Sequence, residues 1–414
     1  MRLGWFRTII DAHASALSSK LNTGCERLPK SLASRQDRLG TETAFLTLAR
    51  ARELEAQGRH IVHLEIGEPD FDTPEHIIDA AKNALDNGYT HYGPSPGEMP
   101  VREAVAAHQT ERQGYEISPD RIIVTPGGKP VMFFSILALI EEGDEVIYPN
   151  PGFPIYESMI NYAGGTAVPI PLEERFDFSL DVDRLEALVT DNTKLIIVNS
   201  PNNPCGSVIS DADLGRIAKI AVENDLVVLS DEIYKDMYYE DSHTSITKFD
   251  DMVDRTIILD GFSKSYAMTG WRLGYGVFPE FMLDAVTKLM TNSVSCTSVA
   301  VQMAGIAALQ GPQDSVADMM DEFRIRRDLV VDGLNNLPGV SCRNPGGAFY
   351  AFPNISGTGL DSRTFADRAM DEAGVALLSG TAFGEYGNGY IRISFANSQD
   401  NLRLAIDRLG EMLS

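Results

Sequence analysis

Between residues 121 and 291, short runs of β-branched and aliphatic residues alternate with stretches of helical periodicity. No other feature of the 414-residue chain constrains its fold as much. Strands are expected at 121–125, 145–148, 167–170, 195–199, 226–230, 256–260 and 274–277. Helices are expected between them, at 129–140, 182–189, 211–224 and 279–291. Such alternation builds a mostly parallel sheet covered by helices on both faces. Ligands of these sheets bind beyond the carboxyl ends of the strands. Gly127, Asn203, Asp231 and Lys264 each follow a strand and so fall at that edge. Beyond Gln313 the pattern changes to a long helix at 314–336, apolar segments at 339–343 and 348–352, a helix at 362–373, a strand at 390–394 and a last helix from Gln399. The expected class is therefore α/β, with a large sheet domain and a smaller α+β domain, and no internal repeat or low-complexity linker intervenes.

Composition narrows the function. With 35 basic against 59 acidic residues the net charge is −24, which argues against nucleic acid, whose phosphates call for clustered lysine and arginine. It argues equally against anionic membranes, and no apolar stretch reaches the length of a membrane span. Cys25, Cys205, Cys296 and Cys342 are scattered without a Cys-x-x-Cys pair, a pattern of reduced thiols that points to the cytoplasm. No His-Glu-x-x-His run is present, His60 and His63 read as structural, and no metal site is expected. Residues 1–38 differ from the rest, carrying seven Lys or Arg against three acids. A transit peptide, a flexible arm and translation from an upstream start all fit this segment; we take it as a poorly ordered extension, with organellar targeting the lesser reading.

The run from Gly261 to Tyr275 carries the chemistry. Lys264 stands between two serines, with Arg272 downstream. A lysine amine can form a Schiff base with an aldehyde, while Ser263 and Arg272 can hold an anion nearby. An aldehyde with an anionic tail describes pyridoxal 5′-phosphate. Alone, a Ser-Lys-Ser segment reads as an exposed polar loop; what overturns that is the rest of the chain.

The run resembles the lysine signature of class I aminotransferases, the fold-type-I enzymes that use pyridoxal phosphate. The resemblance extends in order from Leu64-Glu-Ile-Gly-Glu-Pro-Asp-Phe-Asp-Thr-Pro-Glu-His76 to Tyr390-Ile-Arg-Ile-Ser-Phe-Ala396, leaving about the first forty residues outside. It implies that a first segment, residues 39–75, joins the small domain of 314–414, and that 76–313 form the large domain. In Thr125-Pro-Gly-Gly-Lys-Pro130 the family holds the cofactor phosphate, here through the backbones of Gly127, Gly128 and Lys129, with Ser263 and Arg272 completing the cup. Asp231, in Leu229-Ser-Asp-Glu-Ile-Tyr234, is implied as partner of the pyridinium nitrogen, and Tyr234 as partner of the phenolic oxygen. Asn203, in Asn199-Ser-Pro-Asn-Asn-Pro-Cys-Gly206, is implied to share that oxygen; relatives usually carry Thr where Cys205 stands. Phe153 is implied to stack on the ring. Tyr92, in Tyr89-Thr-His-Tyr-Gly-Pro-Ser-Pro-Gly97, matches a tyrosine that reaches the neighbouring subunit's phosphate, which implies a homodimer.

For the substrate, the resemblance implies that Arg392 binds the α-carboxylate, with Asn203 and the Gly67 N–H alongside. The loop 292–298 contains no arginine, which weakens a strict dicarboxylate preference, and Ser379-Gly380 replaces a frequent Pro-Gly. The implied activity is ping-pong transfer of an amino group from an L-amino acid to a 2-oxo acid such as 2-oxoglutarate or pyruvate, with Lys264 as Schiff-base lysine and proton shuttle. Two other readings compete: a β-eliminating C–S lyase on the same scaffold, and a binding protein that has lost its chemistry.

Overall fold

The computed structural model describes residues 32–240 and 242–414. The sequence expectation for the basic leader therefore lies, up to residue 31, outside the described residues. The central feature is a seven-stranded sheet. Its strands are β2 (Ile122–Thr125), β3 (Glu145–Asn150), β4 (Thr166–Pro171), β5 (Thr193–Asn199), β6 (Val227–Asp231), β7 (Thr256–Gly261) and β8 (Gly274–Val277). They lie in the order β2-β8-β7-β6-β5-β3-β4. All run parallel except β8, which is antiparallel to both neighbours.

Buried on both faces, these strands are apolar without interruption rather than alternating. In β5, Leu195 and Ile197 pack to one side, with Met132 and Phe134 of α4 (Lys129–Leu139), Tyr156 and Ile160 of α5 (Ile155–Ala163) and Val286 of α8 (Leu283–Val294). Ile196 and Val198 pack to the other, with Leu185 of α6 (Val182–Leu188) and Leu214 and Ile217 of α7 (Asp211–Glu223). Helix α7 starts where Ser210 accepts the Asp213 N–H at 3.1 Å, satisfying a donor that the first turn leaves free. Toward β2 and β8 a further core collects Ile77 of α2 (Glu75–Asp86), Val101 and Val105 of α3 (Met99–Gln113) and Ala304 of α9 (Val299–Gln310).

Helix α10 (Asp314–Asn335) leads into two small sheets. Strand β1 (Val62–His63) pairs in parallel with β10 (Val375–Ala376), so the segment before α2 is stitched to the C-terminal part of the chain. Strands β11 (Leu378–Ser379), β12 (Ile391–Ser394) and β9 (Tyr350–Ala351) form an antiparallel set in that order. Helices α11 (Ser362–Asp371) and α12 (Gln399–Leu413) cover them, and Phe323, Phe349, Phe365 and Phe395 fill the core between. The segment expected at 339–343 makes only an isolated bridge, Ser341 to Asn354. Helix α1 (Thr43–Ala56) precedes β1 and buries only Ala51.

Register decides what meets at the sheet edge. Asn199 pairs with Asp231, Asp231 with Leu259, Thr125 with Gly274 and Gly261 with Gly274. The carboxyl ends of β2, β5, β6 and β7 therefore share one edge with the start of β8.

Candidate active site

A cavity of about 1020 Å³ opens at this edge. Its walls include Gly67, Gly128, Lys129, Phe153, Asn203, Asp231, Tyr234, Ser263, Lys264, Arg272 and Arg392. The sequence-derived residues thus converge, with two exceptions. Gly127 lies directly behind the wall, in the turn between β2 and α4. Tyr92 is 89% exposed and does not line this cavity.

Lys264 lies in the loop between β7 and β8. Its Nζ donates to the Gly67 carbonyl and lies 5.8 Å from the Tyr234 ring centroid and 5.5 Å from that of Phe349. Burial lowers its pKa to about 8, and the nearby Arg392 cation pushes the same way. A lysine so placed is partly neutral near neutral pH and can act as a nucleophile or a base.

Asp231 closes β6 and is buried. Burial raises its carboxyl to about 6, opposed by hydrogen bonds from Tyr156 Oη at 2.5 Å and the Ile233 N–H at 3.2 Å. Asn199 Nδ2 braces the Asp231 carbonyl at 3.1 Å, and Asn199 Oδ1 accepts the Asn203 N–H at 3.0 Å. A carboxylate held at the end of a buried strand calls for a cationic partner.

Arg392, on β12, is also buried. It donates from Nη1 to Asn203 Oδ1 at 3.1 Å and from Nη2 to the Glu65 carbonyl, and its guanidinium stacks 4.5 Å from the Tyr350 ring centroid. Its Nε has no partner, and burial lowers its pKa. A buried guanidinium with unspent donors is a receptor for an anion. Tyr350 also shares a 2.8 Å hydrogen bond with Tyr234 Oη. It explains Gly67, since a Cβ there would meet Tyr350 Oη at 2.1 Å.

The opposite end of the cavity carries a second guanidinium. Gly127 adopts φ +86°, and a Cβ on it would come within 2.2 Å of Arg272 Nη2, so only glycine lets the guanidinium lie against the turn. Arg272 Nη1 is anchored on the Thr269 carbonyl at 2.8 Å. At the start of α4, Pro130 has no N–H and the Val131 N–H is bonded to the Gly128 carbonyl at 3.0 Å, which leaves the Lys129 N–H at the mouth of the turn. The Lys129 side chain forms an ion pair with Glu42. Cys205 donates its N–H to Asn202 Oδ1 at 3.0 Å and packs in the core beside α7, so its thiol is spent on packing.

Sequence reading missed Tyr156, Tyr350, Asn199, Glu42 and Glu65. Asn199 and Glu65 stand inside the quoted runs, yet nothing local gives them a role, nor says that Tyr156 reaches Asp231 across 75 residues. His63, read as structural, also lines the cavity, between Glu55 of α1 and the buried Glu65.

The layout has two anion receptors, a buried carboxylate between them, and an amine of lowered proton affinity. That combination suits an enzyme of amino-acid chemistry. Residues 59–409 match the family model for aminotransferase class I and II. An aspartate aminotransferase of Pyrococcus abyssi is 42% identical over 365 residues, covering 87% of this chain and 94% of the relative. An aromatic-amino-acid aminotransferase of Thermococcus litoralis is 41% identical, covering 86% and 93% respectively. The solved aspartate aminotransferase of Thermus thermophilus with maleate superposes with a TM-score of 0.89 at 36% identity, covering 92% of this chain and all of that one. The chain belongs to the class I and II aminotransferase family, and it is a transaminase. Amino transfer thus displaces the lyase and the silent binding protein among the sequence readings.

Proposed function

We propose that the enzyme uses pyridoxal 5′-phosphate to move the amino group of an L-amino acid to a 2-oxo acid, 2-oxoglutarate or pyruvate. The observation that carries this reading is the buried Lys264 amine set among Asp231, Arg392 and the Gly127–Arg272 turn. The residues fit the cofactor. The turn, the start of α4 and Ser263 would hold its phosphate, Asp231 its ring nitrogen, Tyr234 and Asn203 its phenolic oxygen, and Phe153 its ring face. When bound, the cofactor supplies an electron-withdrawing ring that accepts the electron pair left by loss of the α-proton.

The chain's own groups do the rest. Arg392 binds the substrate α-carboxylate, with Asn203 and the Gly67 N–H beside it, and so fixes the α-carbon. Lys264 Nζ removes the α-proton and carries it; burial keeps the amine neutral enough to do so. Donor and acceptor occupy the same site in turn, which makes the kinetics ping-pong. We further assign residues 39–75 and 314–414 to a small domain around 76–313, on the strength of the β1–β10 pairing. A homodimer in which Tyr92 reaches the neighbouring site agrees with the exposure of that ring. Cytoplasmic residence agrees with the free thiols of Cys205, Cys296 and Cys342. Among the described residues no helix is long and apolar enough to cross a membrane.

The test is a half-reaction screen of the cofactor-loaded enzyme with single amino acids and no acceptor. Stoichiometric 2-oxo acid with loss of the internal cofactor absorbance is expected, and Lys264→Ala should abolish it. Steady release of ammonia would overturn amino transfer as the main reaction.

A further inference from the structure

Of the two serines beside Lys264, Ser263 lines the cavity and Ser265 does not. Ser265 is buried, and its hydroxyl donates to Asp236 Oδ2 at 2.6 Å. Asp236 also pairs with Arg112 Nη1 of α3 at 2.7 Å and with Lys235 Nζ at 3.2 Å. Lys235 Nζ continues to Asp260 Oδ1 at 2.9 Å, and the same oxygen accepts the Gly261 N–H at 2.6 Å. Asp260 Oδ2 is held by Tyr275 Oη at 2.6 Å and Gln109 Nε2 at 3.0 Å. No member of this network lines the cavity. Two cations thus balance two carboxylates behind the wall of the site. They join the turn after β6, which carries Tyr234, to the turn after β7, which carries Lys264.

The lysine turn is weakly held by its own backbone. The Tyr266 and Ala267 N–H groups reach the Phe262 and Lys264 carbonyls at 3.3 Å, and the Met268 N–H reaches the Ser263 carbonyl at 3.2 Å. These lie at the long end of the hydrogen-bond range. Ala267 takes φ +50°, a strained region that persists only where the surroundings fix it. Thr73 Oγ1 fixes the far end of the turn by donating to the Ala267 carbonyl at 2.7 Å. The near end hangs on Gly261 and Ser265, both bonded to the ion network. Buried ion pairs are poor sources of net stability, but hydrogen-bonded networks make rigid what they hold. We propose that Asp236, acting through Ser265, is a positioning residue for Lys264. The network behind the wall fixes the lysine turn against the turn of Tyr234, so that Nζ stays within reach of the substrate α-carbon. The inference rests on the proposed role of Lys264 as the group that carries the α-proton.

Ser265→Ala cuts the tether and leaves both ion pairs of Asp236 in place, so the variant should fold and melt as wild type does. On the cofactor-loaded enzyme, with a donor found by the half-reaction screen, kcat should fall on the order of tenfold while KM stays within about twofold. Amide hydrogen exchange on the cofactor-free enzyme gives a reading independent of turnover. Residues 261–268 should exchange faster by on the order of tenfold, and the rest of the chain as before. Asp236→Asn should also lower kcat, and in the double variant the serine change should add less than about twofold. Unchanged kcat and exchange overturn the proposal. So does a general rise in exchange with a lowered melting point and a raised KM, which would mark Ser265 as an ordinary core residue. A wild-type enzyme that gives no half-reaction with any donor overturns the role of Lys264 itself. That failure is told apart by exchange in residues 261–268, which still responds to Ser265→Ala.

Discussion

Asp231 shows how one carboxyl is tuned by a residue far away in sequence. Burial alone drives its pKa upward, and the Tyr156 hydroxyl is the largest force holding it down. Tyr156→Phe removes that donor and leaves a buried carboxyl that takes up a proton more readily. A hydrogen bond to a charged group is worth about 1.5–3 kcal/mol. The variant should therefore bind pyridoxal phosphate on the order of tenfold or more weakly, measured by equilibrium dialysis, while its thermal unfolding changes little. Unchanged affinity would mean that Asp231 is ionised without Tyr156. Lys264, Arg272, Asn203 and Arg392 were legible because each sits in a short run whose local order carries its meaning. Tyr350 and Glu42 were not, because each acts on a partner from another element. A tyrosine in an apolar strand and a glutamate before a helix have ordinary local explanations.

Among the elements, α1 is held to the interior by a chain of charges. His63, at the end of β1, lies 3.2 Å from Glu55 of α1 and 2.8 Å from the fully buried Glu65. The Glu65 carboxylate is the main cause that lifts the His63 pKa to about 9. The folded value lies above the unfolded one near 6.5, so the charged histidine stabilises the fold fully below that pH. The contribution fades as pH rises through about 9. With the ring partly open to solvent, it should amount to on the order of 1–2 kcal/mol. Urea unfolding of wild type and His63→Gln should differ most near pH 6 and converge above pH 9.5; a constant gap would show that the bridge carries no pH-linked stability. Strands were legible from their apolar runs, and β8 was placed to the residue. Helices α1, α2, α3, α5 and α9 were not among those expected. α9 is apolar around most of its circumference, so it shows little of the one-sided periodicity by which surface helices are read. The small sheets lean on two-residue strands too short to leave a pattern.

For the whole molecule, the exposed Tyr92 is where the proposed homodimer is open to test. If it completes the phosphate site of a second copy, the enzyme should sediment at twice the 45.3 kDa chain mass. Complementation gives the sharper result. Lys264→Ala and Tyr92→Ala should each impair activity alone. A dimer that combines them regains one intact site, so mixing after mild dissociation should restore turnover. No recovery would place Tyr92 outside the partner's site.

The single reversed strand has its own consequence for how such an enzyme can change. Because β8 runs against its neighbours, residues 262–273 leave the sheet at Gly261 and return at Gly274, two residues paired with each other. At Gly274 an added Cβ would strike the Gly127 backbone at 2.6 Å, so the joint is fixed. Ser263, Lys264 and Arg272 therefore ride on a loop clamped at its base that never crosses the sheet. Such a loop travels as one unit: Phe262, Tyr266, Met268 and Leu273 pin it to the core beside α9, so a change in its length would shift Ser263, Lys264 and Arg272 together while the order of the strands stays as it is.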